Sequence, residues 1–340
     1  MLLPLLFALL IHAAPPACDV TLVADGNTAA IQTALDRTDN PVICLKPGKY
    51  LGARFVVAQS ATLQRLGAGE VILDAGGLGR VLTLPKAGVR LALAGVTLTG
   101  GRAKQGGAIE VSADAALTLT DCVIRDNAAT WQNGGGLWAN AGTIAALRTR
   151  WQHNQAATGA ALDLSGTAQL RLIASVVTLH PAPSTDGAPV RLAGNAQLEV
   201  ISSTFAYNAG PALALAADLN DKPRLLVRDS LVLGAPNAFN VPQRQAENVD
   251  VQRSVVSGRI GFVSLDLASK RDAPQLDALG PERAMPAVAS PAIDLARCDL
   301  PEQRLDLTGR PRGKRCAAGA LEPPLEVVRH TRWLRTNPKR

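Results

Sequence analysis

Aromatic residues make up only 3% of this 340-residue chain. Hydrophobic residues make up 47%, so the large core they allow must be aliphatic. The same scarcity of rings speaks against a long sugar-stacking groove. Histidine is rarer still: His12, His153, His180 and His330 are the full set. No Cys-x-x-Cys and no Cys/His cluster occurs, so no metal site and no cofactor is expected. The apolar run over residues 2–11 is too short to span a bilayer as a helix. Hydrophobic spacing at 3.6 residues is absent from the repeated part of the chain, which excludes ankyrin-like and other helical repeats.

Residues 2–11 fit the apolar core of a secretory signal, with Ala13 and Ala14 near a plausible cut. Residues 1–14 are therefore expected to be a signal peptide, the alternative being a buried N-terminal strand. In an oxidising compartment Cys18–Cys44 and Cys298–Cys316 are the natural local disulfides, each closing a short loop at one end of the molecule. Cys122 is then the odd cysteine, a buried thiol within a regular coil. The formal net charge is +7. Part of it gathers in Arg329, Arg332, Arg335, Lys339 and Arg340, against the single acid Glu326 in the last fifteen residues. A short like-charge tail points to a solvated segment rather than a nucleic-acid arm. Contact with an anionic surface, such as acidic polysaccharide or lipid headgroups, is its functional counterpart.

The dominant signal is internal repetition. One pattern is a glycine–small–apolar strand start: Gly106-Gly107-Ala108-Ile109, Gly135-Gly136-Leu137-Trp138, Gly159-Ala160-Ala161-Leu162, Gly187-Ala188-Pro189-Val190 and Gly210-Pro211-Ala212-Leu213. The other is an alternating apolar strand that starts at Leu91, Leu117, Ile144, Leu170, Leu198, Leu225 and Val249. Successive steps are 26, 27, 26, 28, 27 and 24 residues. Alternation within each repeat indicates strands. The asparagine-centred consensus of leucine-rich repeats is missing. Short strands joined by turns and stacked in parallel remain, because one coil cannot bury its own apolar face. A third element, Ile124-Arg125-Asp126-Asn127, Trp151-Gln152-His153-Asn154 and Phe205-Ala206-Tyr207-Asn208, puts asparagine at one corner, where it tolerates left-handed backbone. His180 falls in the same slot, and a turn-corner role is preferred for it over a catalytic one.

Gly106-Gly107-Ala108-Ile109 and Phe205-Ala206-Tyr207-Asn208 resemble the repeats of the polymorphic outer membrane proteins, and the wider resemblance is to the pectin-lyase-like superfamily. The fold this implies is all-β, a single-stranded right-handed parallel β-helix over residues 41–258. Residues 15–40 read as its N-terminal cap. There Asn27 precedes a short amphipathic helix burying Ile31, Ala34 and Leu35, and a strand and turn from Val42 to Tyr50 follow. Residues 259–322 read as a C-terminal cap segment, and 323–340 as the basic tail. Within that segment Ser290-Pro291-Ala292-Ile293-Asp294, a shortened Asp306-Leu307-Thr308-Gly309-Arg310-Pro311-Arg312 and Gly319-Ala320-Leu321-Glu322 are similar to the end of bacterial surface proteins termed choice-of-anchor Q. The resemblance implies a protein secreted or held at the bacterial envelope. No transmembrane segment is expected after removal of the signal.

Galacturonases of the superfamily carry a Gly-His-Gly, which is absent here, and no Ser/His/Asp set stands out. The preferred function is therefore a non-catalytic adhesion-type solenoid that binds acidic polysaccharide or cell-surface glycan. The alternative is a polysaccharide lyase or glycoside hydrolase acting on acidic polysaccharide. Trp138 and Trp151 fall at inward-reading positions. Trp131, in a loop, is the best exposed ring for stacking on sugar. If the glycine-led strands stack, one outward column reads Thr83, Glu110, Ala139, Asp163, Arg191, Ala214 and Asn240. Asp163 and Arg191 would be neighbours, with Glu110 about 9–10 Å from Asp163 across Ala139. That gap suits inverting hydrolysis, and the acid–arginine pair suits a lyase, so Glu110, Asp163 and Arg191 are the catalytic candidates. A surface salt bridge accounts for the same residues more simply.

Overall fold

A computed structural model of the chain describes residues 16–25, 28–131, 133–181, 188–216, 218, 220–271, 290, 292, 295–313 and 315–321. Residues 1–15, where a signal peptide was expected, Asn27, Gly187, Pro291, Ile293, Asp294, Glu322 and residues 323–340 lie outside the described residues.

The seven apolar strand starts stack directly on one another. Leu91 pairs with Leu117, Leu117 with Ile144, Ile144 with Leu170, Leu170 with Leu198, Leu198 with Leu225 and Leu225 with Val249, all in parallel. These strands belong to a ten-stranded sheet that runs from Val20–Leu22 to Val249–Gln252. A second ten-stranded sheet runs from Gly48–Leu51 to Lys270–Arg271, and an eight-stranded sheet from Phe55–Val56 to Phe239–Asn240. The chain visits the three sheets in turn, giving a single-stranded parallel β-helix of about nine turns.

Inward side chains merge into one aliphatic column. Ile109, Leu119, Leu162, Leu172, Val190, Val200, Leu213 and Val227 are all fully buried in the same cluster. Each such side chain contributes about 1.5–3 kcal/mol through removal from water. Helix Ala29–Leu35 adds Ile31, Ala34 and Leu35 to the N-terminal end of that core. Its N-cap residue, Thr28, makes no side-chain capping bond. Gln32 also finishes the exposed edge of the eight-stranded sheet. Its Nε2 donates to the Val56 carbonyl at 2.9 Å, and the Val56 N–H donates to its Oε1 at 3.0 Å. The side-chain amide thus stands in for the missing neighbouring strand.

Two corners carry buried polar ladders. At one, Asn127 Nδ2 donates to Asn154 Oδ1 at 3.0 Å, the Asn154 N–H donates to His180 Nδ1 at 3.1 Å, and the His180 N–H donates to Asn208 Oδ1 at 3.1 Å. At the other, Thr149 N–H donates to Ser175 Oγ, Ser175 N–H to Ser203 Oγ, Ser203 N–H to Ser230 Oγ and Ser230 N–H to Ser254 Oγ, at 3.0–3.2 Å. Each residue just before a rung of this second ladder has positive φ: Arg148, Ala174, Ser202, Asp229 and Arg253. The hydroxyls satisfy backbone N–H groups that the corner turns away from the sheets.

Cys18–Cys44 and Cys298–Cys316 are disulfide-bonded, with Cα atoms 5.7 Å and 6.2 Å apart, and Cys122 is free and buried. Cys122 occupies the matching position one coil before Thr149, its Sγ donating to the Thr120 carbonyl at 3.3 Å. Burial pushes its thiol up to about 11.

The described parts of residues 290–321 lie along the flank of the coils. Leu307, Ala320 and Leu321 pack on Val176, while Leu300 packs on Ile173, Ala174 and Ile201. Asp229, almost fully buried, anchors the segment. Its carboxylate accepts from Arg253 Nε at 2.8 Å, from the Arg297 N–H at 3.1 Å and from Gln303 Nε2 at 3.1 Å. Within the segment, Asp306 Oδ1 accepts from the N–H groups of Thr308 and Arg310 at 2.8 and 2.9 Å. Arg312 Nη2 donates to the carbonyls of Ala317 and Gly319 at 2.6 and 2.9 Å. The charged residues of the C-terminal motif therefore fold its own turn and fasten its last strand.

Candidate functional site

On the eight-stranded sheet the register defines one outward column: Val56, Thr83, Glu110, Trp138, Asp163, Arg191, Ala214 and Asn240. This corrects the expected column, in which Ala139 stood between Glu110 and Asp163. Ala139 pairs with Val111 and Leu164 and is fully buried, whereas Trp138 occupies the outward slot and is partly exposed. The reason lies in the same strand. Leu137 pairs with Ile109 and Leu162 and is buried with them, so alternation along the strand turns the next side chain, Trp138, outward. Trp151 is wholly buried, and a Cβ on Gly136 would come within 3.2 Å of its ring.

The turns before the column are built on glycine. Gly106, Gly134 and Gly159 each stand four residues ahead of Glu110, Trp138 and Asp163, with φ of 57°, 69° and 56°. A Cβ there would meet the carbonyl oxygens of Ile109, Leu137 and Leu162 at 2.5, 2.3 and 2.5 Å. Only glycine lets each loop fold back so closely on the strand it feeds.

Both carboxylates of the column are engaged. Glu110 forms an ion pair with Arg80, a residue of the preceding coil. Arg80 is spread further, donating to the carbonyls of Gly106 and Gln105 at 2.9 and 2.8 Å and to Thr83 Oγ1 at 3.2 Å. Burial pulls the Arg80 guanidinium below its ordinary range, and the Glu110 carboxylate works against that. One coil beyond Trp138, Asp163 Oδ2 accepts from Arg191 Nη1 and from Thr158 Oγ1, each at 3.2 Å. Thr158 Oγ1 also lies 2.8 Å from Asn133 Oδ1. Asp163 was expected on an open face, yet it is 0% exposed. A buried carboxylate is tolerable because it is paired and hydrogen-bonded.

Glu110 and Asp163 are two strands apart, about 9–10 Å, but the space between them holds the Trp138 indole. Arg80, Trp138, Thr158 and Asn133 were missed as site residues. The alignment of Leu137 with Ile109 in the glycine-led strands was the signal that could have located Trp138. Trp131 is 80% exposed in the loop that leads into the same strand, a loop tied down by the Thr130 N–H donating to the Ala103 carbonyl at 2.8 Å.

His180 belongs to the asparagine ladder and not to this face. Among the described residues no group of three or more His, Cys, Asp or Glu side chains is placed to hold a metal ion. Among them also, no helix is long and apolar enough to cross a membrane.

No family model and no curated protein matches the chain. Solved structures similar to it include two of low identity. One is pectate lyase Pel9A, at 12% identity and a TM-score of 0.49, covering 91% of this chain and 97% of that one. The other is Escherichia coli YbhC, at 10% identity and a TM-score of 0.43, covering 82% and 83%. Likenesses at this level carry nothing about chemistry. The β-helix stands on its own strand register.

Proposed function

We propose that the chain is an exported β-helix protein that binds glycan on the outward face of its eight-stranded sheet without cleaving it. The observation that carries this is Trp138, an indole partly open to solvent between Glu110 and Asp163. An indole offers an apolar face to a sugar ring and a polar edge to its hydroxyls. Inverting hydrolysis needs open space for a water between its two carboxyl groups, and here that space is filled. Glu110, held by Arg80, is a fixed polar wall of the platform, while the buried Asp163 positions Arg191 beside it. The exposed Trp131 on the same coil supplies a second ring. Two disulfides support export, since such bonds persist in oxidising compartments.

The test is depletion of soluble polysaccharides by the purified protein, with the absorbance of unsaturated uronate product followed in parallel. Retention without product, lost in Trp138→Ala, is expected. Product formation that disappears in Glu110→Gln would overturn the proposal in favour of an enzyme.

A further inference from the structure

We infer that the Trp138 face takes a neutral pyranose chain and discriminates against uronate polymers. The inference deepens, and rests on, the glycan-binding role proposed above. It runs against the acidic partner that the basic tail and net charge suggested.

A polymer of uronates places a carboxylate on every ring, and recognising it takes guanidinium or ammonium groups free to form charge-assisted bonds. The column and its support hold two arginines, Arg80 and Arg191, and two acids, Glu110 and Asp163. Each guanidinium already faces a protein carboxylate. Arg80 in addition directs Nε and Nη2 at the carbonyls of Gly106 and Gln105, and Nη1 at Thr83 Oγ1. Its fork is turned into the protein. The remaining column positions, Val56, Thr83, Ala214 and Asn240, carry no charge.

Apart from Lys104, exposed next to Gln105 in the chain, the groups left at the surface suit hydroxyls. Glu110 keeps 15% of its side chain exposed, and Gln105 Nε2 lies 3.4 Å from its Oε1. Together they offer an acceptor and an amide beside the indole. A uronate carboxylate brought to the same ring would give up water without gaining a guanidinium, because both already face protein carboxylates. A neutral ring can stack its C–H face on Trp138 and donate hydroxyls to Glu110 with no such cost. Because each coil advances about 4.8 Å along the solenoid, a chain lying along the column passes from Glu110 over the indole towards Arg191.

The experiment is equilibrium depletion with hydroxyethyl cellulose, a soluble β-1,3-glucan and mannan as neutral probes, and polygalacturonate and alginate as uronate probes, at low and high salt. At least one neutral probe is expected to be retained, with affinity nearly independent of salt. Trp138→Ala should weaken it about tenfold or more, and Trp138→Phe should keep part of it, which separates loss of stacking from loss of fold. Retention of polygalacturonate or alginate alone, salt-sensitive and dependent on Trp138, would overturn neutral selectivity while leaving glycan binding intact. Retention of no probe would overturn both. Retention unchanged in Trp138→Ala would remove the site from this face.

Discussion

The Nδ1 atom of His180 accepts the backbone N–H of Asn154 at 3.1 Å, while its Nε2 lies 3.0 Å from the Trp151 carbonyl. An Nδ1 that accepts carries no proton, so the Nε2–H donates to Trp151 and the ring is neutral. Burial holds the imidazole down at about 4, partly opposed by the carbonyls of Asn154, 3.2 Å from Nδ1, and of Trp151, and His153 adds to the lowering. The unfolded chain takes up its proton near pH 6.5. The stability from neutral His180 is thus complete above pH 6.5 and is lost as the pH falls towards 4, about 3 kcal/mol in all. Asparagine is the native residue one coil before and one coil after, so His180→Asn should fold and lose this pH dependence. Urea unfolding of both proteins between pH 7 and 4.5 checks it; parallel stability curves would contradict the role given to His180.

The hydroxyl ladder makes a second prediction. Ser203→Ala leaves the buried Ser175 N–H without its acceptor, at a cost of about 1–3 kcal/mol. Cys122→Ser keeps a donor to the Thr120 carbonyl and should stay within about 1 kcal/mol of the parent. In thiol counting, the native unreduced protein should react slowly because burial raises the Cys122 thiol, and the denatured unreduced protein should show a single thiol. A count of five would remove both disulfides.

Leu172 lies in the middle of the aliphatic column, on a strand paired through five consecutive residues on each side. Leu172→Asp places a carboxylate there without a partner, costing several kcal/mol. Loss of the cooperative melting transition, or recovery only as aggregate, is expected. A soluble variant with the parental melting temperature would contradict the register.

Asp229 joins two coils to the flank segment. Asp229→Ala should cost about 3–5 kcal/mol, since it strands the Arg253 guanidinium, leaves the Arg297 N–H without its acceptor and removes one of the two acceptors of Gln303 Nε2. Hydrogen exchange should rise at Arg297 and Ala320 before it rises in the coils. Equal protection of the segment in parent and variant would show that Asp229 does not anchor it.

Much of the fold was legible because period-two alternation and a repeat of 24–28 residues leave few other architectures. The strand starts Leu91 to Val249 and the corner residues Asn127, Asn154 and His180 all followed from spacing. The hydroxyl ladder escaped notice, although Thr149, Ser175, Ser203, Ser230 and Ser254 recur at steps of 26, 28, 27 and 24. Serine in a turn looks like a surface residue until the neighbouring coil's N–H is seen to need it. Trp138 was misplaced because size and apolarity argue for burial. Alternation fixes its place instead, since Leu137 takes the inward slot beside Ile109 and Leu162. The attachment of Glu302 and Gln303 to Arg171 and Ser202, more than a hundred residues earlier, leaves no local trace.

The central claim is that Trp138 is the surface on which glycan stacks. Its most direct measurement is the indole emission of a Trp131→Phe, Trp333→Phe protein during titration with the soluble neutral polysaccharide retained by the parent. That protein keeps only Trp138, at the surface, and Trp151, in the core. A saturable change in emission, abolished when Trp138→Phe is added, is the predicted result. A change that persists without Trp138, or binding with no change in its presence, would contradict the account.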